Sequence, residues 1–108
     1  MKVFISQPMN GYTDEEIAEV RDQAIEEIKQ IYQFFDRNNQ LEIVSTTFTQ
    51  EGEILPKEAS RLWWLGRAIQ LLDGVDVIYM CKGWEDARGC KIERHVAIEY
   101  NIGIYYQK

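Results

Sequence analysis

Val75-Asp76-Val77-Ile78-Tyr79-Met80, then Gly83-Trp84-Glu85-Asp86-Ala87-Arg88-Gly89-Cys90-Lys91-Ile92-Glu93, decides the fold of this 108-residue chain. The first run is short, apolar and bounded by Asp73-Gly74, as a buried strand is. The segment from Lys91 to Tyr100 has the apolar spacing of an amphipathic helix. Between them lies a glycine-broken loop, the kind of connection where open α/β sheets place ligand sites.

The same alternation runs through the rest of the chain. Lys2 to Ser6 reads as a first strand bounded by Gln7-Pro8. Thr13-Asp14-Glu15-Glu16 is a capping-box pattern. It is followed by Ile17, Val20, Ala24, Ile28, Ile31 and Phe35 at helical steps, and Asp36-Arg37-Asn38-Asn39 is the expected stop. Leu41 to Ser45 is a second strand. Residues 46–57 read as a loop folded over the site, and Lys57 to Leu72 as a helix. Asn101-Ile102-Gly103 is the expected end of the third helix, with Gly103 near the C-cap, and Ile104-Tyr105-Tyr106 is a last strand. The order β-α-β-α-β-α-β predicts one α/β domain over residues 1–108, with a parallel sheet of about four strands and helices on both faces.

The 12 Lys and Arg residues against 18 Asp and Glu give a formal charge of −6, with no two basic residues adjacent. That argues against binding duplex nucleic acid, which needs a cationic face. No apolar stretch approaches a membrane span and no signal peptide opens the chain, so a cytoplasmic protein is expected. With one His and two Cys, in neither CxxC nor HxxxH spacing, the pattern calls for no metal and no cofactor. Cys81 and Cys90 are expected to be reduced, buried thiols.

Three segments meet beyond the carboxyl ends of the strands: Ser6 to Gly11, Thr46-Thr47-Phe48, and Cys81 to Gly89. Gln7, Pro8, Met9 and Asn10 form no phosphate cradle but can wrap a planar or hydroxylated ligand; Asn10-Gly11 is equally ordinary turn chemistry. Glu93 is the candidate nucleophile or general base, and a solvated first-turn carboxylate is its plain alternative. Arg88 with the backbone at Gly89 suits an anionic group, or Arg88 pairs with Glu85 or Asp86. Trp84, read as exposed, can stack on a base. Asp76 falls at the amino end of its strand and reads as structural, and His95 as incidental. Trp63 and Trp64 cannot both enter the core from one helix.

Ile5-Ser6-Gln7-Pro8-Met9-Asn10-Gly11, taken with Gly83-Trp84-x-x-Ala87-Arg88-Gly89-Cys90-x-x-Glu93, resembles the small bacterial and phage proteins of the DUF4406 family. These are similar in turn to nucleoside 2-deoxyribosyltransferases and nucleotide N-glycosidases. The resemblance implies a Rossmann-like or flavodoxin-like sheet, with Glu93 as the nucleophile that attacks the sugar C1′. It also implies a homo-oligomer, and a nucleoside or nucleotide as the small-molecule partner, with Gly83, Trp84 and Gln7 among the contacts. Three positions depart from those relatives. Ala87 stands where Asp or Ser is usual, Arg67 or Ala68 where the transferases carry an Asp, and Gln7 where Gly commonly precedes the Pro. Three functions therefore stay open: an N-glycosidase-type enzyme, a noncatalytic nucleotide-binding or sequestering protein on the same fold, and an interaction module whose Trp63/Trp64 helix mediates assembly.

Overall fold

The structure, a computed structural model, describes residues 1–45 and 61–108. The expected loop 46–57, Thr46 to Phe48 within it, and the first four residues of the expected helix 57–72 lie outside the described residues. Four strands, β1 (Lys2–Ser6), β2 (Glu42–Ser45), β3 (Val77–Met80) and β4 (Gly103–Tyr106), form one sheet in the order β2-β1-β3-β4. Every pairing is parallel, with Ile5 opposite Tyr79 and Tyr79 opposite Tyr105.

Alternation along the strands sorts the core into two layers. Val3, Ile5, Tyr79 and Cys81 point one way and pack on Ala24 and Ile28 of helix α1 (Asp14–Ile31). Phe4, Ile78 and Met80 point the other way, onto Ala68 of α3 (Arg61–Leu71), Leu72, and Cys90 and Ala97 of α4 (Arg88–Glu99). Both faces are covered, which is why the central strands read as unbroken apolar runs. The expected α/β class and parallel sheet hold, with a Rossmann-like or flavodoxin-like strand order.

The capping box forms as expected. Thr13 Oγ1 accepts from the Glu16 N–H at 3.2 Å, and Glu16 Oε1 accepts from the Thr13 N–H at 3.0 Å. The helix that follows is shorter than its spacing predicts. It closes at Ile31, and Phe35 belongs to a separate short helix, α2 (Gln33–Arg37). Tyr32 leaves helical geometry, with φ −109° and ψ 43°, and packs against the α1-side layer.

The third helix also ends differently. Asn101, at φ 57°, takes the left-handed position expected near Gly103. Gly103 instead opens β4, where a Cβ would stand 3.2 Å from the Asp76 carbonyl oxygen. Asp76 itself is structural. Its N–H donates to Lys2 O at 2.9 Å, its carboxylate accepts from the Lys2 N–H at 2.8 Å, and its carbonyl accepts from Gly103 N at 3.0 Å. Among the described residues no helix is long and apolar enough to cross a membrane.

Candidate functional site

In a sheet ordered 2-1-3-4 the connections leave in opposite directions from β1 and β3, and the crevice between their carboxyl ends is the topological switch point. The loop after β1 and the loop after β3 meet there. Cys81 N–H donates to Ser6 O at 2.9 Å, extending the β1–β3 ladder one residue past β3. Gly83 sits at φ 90°, and a Cβ there would lie 3.6 Å from Pro8 Cγ, so the two loops touch through Gly83 and Pro8.

Glu93 lies on the second turn of α4, on the helix side that carries Cys90 and Ala97 into the core. It is only 5% exposed. Ser6, the last residue of β1, shares the strand face of Phe4 and so points at α4. Its Oγ donates to Glu93 Oε1 at 2.9 Å. Burial pushes the Glu93 carboxyl up to about 7, against the opposing pull of the Ser6 hydrogen bond. Glu93 is therefore a desolvated carboxyl at the switch point and not the solvated first-turn residue of the plain alternative.

The other candidate residues divide. Gln7 is buried, and its Nε2 donates to Ile17 O at 2.7 Å, tying the β1 loop to the first turn of α1. Pro8 and Met9 are half-buried. Asn10 is exposed, in a turn closed by Tyr12 N to Met9 O at 3.2 Å, with Gly11 at φ 87°. Gly89 is half-buried within α4, just past Arg88, which is exposed and makes no hydrogen bond or ion pair with another described residue. The pairing with Glu85 or Asp86, the plain alternative for Arg88, does not form.

Trp84, read as exposed, is half-buried in the 3-10 turn Trp84–Asp86 and packs on the α3/α4 layer. The Arg94 guanidinium covers its ring at 4.9 Å from the centroid, and Tyr106 lies against it at 5.6 Å. Arg94 Nε also donates to the Tyr106 hydroxyl at 2.7 Å. An open depression of about 570 Å³, lined by Lys82, Gly83, Trp84, Glu85, Tyr106 and Gln107, lies on this β3–β4 side. It shares Gly83 and Trp84 with the site, but Glu93 does not line it.

His95 is exposed, 3.9 Å from Glu99. Cys81 and Cys90 are free, buried thiols that burial pushes up to about 12 and about 11. A thiol so protonated is a poor nucleophile.

A family model described as Domain of unknown function (DUF4406) matches residues 1–106. The chain belongs to the DUF4406 family. No curated protein matches it. The match covers both halves of the switch point in this DUF4406 chain, the Ser6–Gly11 turn and the Gly83–Glu93 stretch.

Sequence reasoning missed two arrangements. Ser6 carries a signal, since it is the buried polar residue on the face that Phe4 gives to α4. The second is Glu27 of α1, which accepts from the Tyr105 hydroxyl at 3.1 Å and from the Tyr79 hydroxyl. The two tyrosine rings stack at 5.5 Å. Helix spacing places Glu27 next to Ile28, yet nothing local says that two strands will present phenols to it.

Proposed function

We propose that this protein is an N-glycosidase-type enzyme that cleaves the base–sugar bond of a nucleoside or nucleotide, with Glu93 as nucleophile. One observation carries the proposal: a carboxyl only 5% exposed, with one oxygen held by Ser6, sits where the β1 and β3 loops meet. The resemblance of the Gly83–Glu93 stretch to nucleoside 2-deoxyribosyltransferases and nucleotide N-glycosidases supplies the reaction class.

A carboxylate at C1′ bonds to carbon as the C1′–N bond breaks, and the electron pair leaves with the base. Water then attacks C1′, the C1′–O bond to Glu93 breaks, and the free carboxylate returns. The proton lost by water ends on the base. Positive charge grows on the sugar in the transition state, and a carboxylate in a low-dielectric setting stabilises it strongly. The raised pKa makes Glu93 a stronger base and nucleophile, at the cost of partial protonation near pH 7. Within this proposal Arg88 and Gly89 meet an anionic group, Gln7 and Trp84 lie beside the base or sugar, and a second copy of the chain completes the site.

Ala87 favours a second possibility, a nucleotide binder without chemistry. Ala87 supplies no side-chain cap to α4, and no carboxyl to protonate a leaving base. Ala68 is buried in the α3/α4 core and Arg67 is a cation, so neither replaces the missing acid. Incubation with a panel of nucleosides and nucleotides, followed by chromatography for free base, separates the two. The enzyme reading expects release that falls at least a hundredfold in Glu93→Ala. Ligand-dependent thermal stabilisation without any release would favour the binder.

A further inference from the structure

The Glu93 carboxyl is held asymmetrically. Ser6 Oγ donates to Oε1 at 2.9 Å, and no described residue donates to Oε2. No buried side-chain polar atom among the described residues lacks a hydrogen-bond partner. Oε2 is therefore not sealed away, and the small exposed part of Glu93 includes it. Ser6 is fully buried, in register with Met80, and its carbonyl accepts from Cys81 N. The sheet thus fixes where the hydroxyl stands.

We propose that Ser6 is the positioning residue of this site: it locks Oε1 and so presents Oε2 as the oxygen that meets a ligand's electrophilic carbon. The attack on carbon rests on the glycosidase proposal above; the coupling of Ser6 to Glu93 does not. A hydroxyl that donates to a carboxylate favours its ionised form. Ser6 therefore orients the carboxyl and keeps a desolvated group ionisable near neutral pH.

The neighbouring charges leave this role to Ser6. On its own helix Glu93 is accompanied by Cys90, a buried thiol, by Arg94, which is engaged with Trp84 and Tyr106, and by the exposed Arg88. Of the elements packed on α4, the 3-10 turn carries Glu85 and Asp86, both exposed, and α3 carries Arg67. β3 contributes Tyr79, which faces the α1 layer, and β4 contributes Tyr105 on that same layer and Tyr106 beside Arg94. Burial and the Ser6 hydrogen bond are the influences on the Glu93 carboxyl.

The test is a carbon-13 NMR titration of the Glu93 side-chain carboxyl, assigned by the signal lost in Glu93→Gln. It compares wild type, Ser6→Ala and Ser6→Thr without substrate. Ser6→Ala is expected to move the midpoint upward by about one pH unit, the effect of one lost charge-assisted hydrogen bond. Ser6→Thr keeps the hydroxyl and should stay within a few tenths of wild type. Equal midpoints in wild type and Ser6→Ala would overturn the proposal, as would equal shifts in both variants. If Ser6→Ala does not fold, Ser6→Cys supplies a weaker donor in nearly the same volume, and its midpoint should also rise. The titration needs no turnover, so its result is independent of whether any compound is cleaved. Where base is released, Ser6→Ala should lower kcat about tenfold at pH 6 and leave KM unchanged.

Discussion

Glu93 is the residue on which burial and chemistry pull against each other. Its ordinary pKa of 4.5 rises to about 7 in the folded chain because desolvation outweighs the Ser6 hydrogen bond. The folded protein therefore binds this proton more tightly than the unfolded chain does. Its stabilising contribution is complete below about pH 4.5 and is lost as pH rises through about 7. Across that window the loss amounts to roughly 3 kcal/mol. Glu93→Gln keeps the shape and removes the titration. Urea unfolding between pH 4 and 8 should show a flatter stability–pH curve for Glu93→Gln, and a variant more stable than wild type at pH 8. Parallel curves would mean that Glu93 does not titrate as a buried carboxyl. The spacing of the Gly83–Glu93 stretch was enough to locate this carboxyl. It was not enough to give its pKa, which depends on how closely α4 packs on the sheet.

Helix ends and strand joints show where local sequence suffices. Thr13 and Glu16 form their capping box from four residues of sequence alone, because the geometry is local. Thr13→Ala removes the hydroxyl that caps α1. It should lower stability by about 1 kcal/mol in thermal or urea unfolding, with the Glu93 titration midpoint unchanged, since α1 lies on the opposite face of the sheet. Unchanged stability would mean the cap contributes nothing to folding. The break at Tyr32 and the exchange of roles between Asn101 and Gly103 were not legible locally. The first follows from Tyr32 packing on the α1-side layer. The second follows from β4 approaching Asp76 so closely that a Cβ at position 103 would crowd the Asp76 carbonyl oxygen at 3.2 Å. Trp84 was misjudged for the same reason: Arg94 and Tyr106, which cover it, arrive from α4 and β4.

At the scale of the molecule, the alternation of apolar strands with amphipathic helices dictated the parallel α/β architecture, and the order β2-β1-β3-β4 turned it into a location. That order places the carboxyl ends of β1 and β3 at the one crevice where Ser6, Pro8, Gly83 and Glu93 come together. The topology brings together two stretches some 70 residues apart in sequence, both inside the family match. It does not supply the reaction, which in the proposal above rests on the Glu93 carboxyl. Acid-quenched intact-mass spectrometry of the protein mixed with a panel of nucleosides and nucleotides tests that claim most directly. With Glu93 as nucleophile, free base appears together with an adduct of one sugar or sugar phosphate on the peptide containing Glu93, and both are lost in Glu93→Ala. Free base released equally by Glu93→Ala, or an adduct mapped to another residue, would contradict that role.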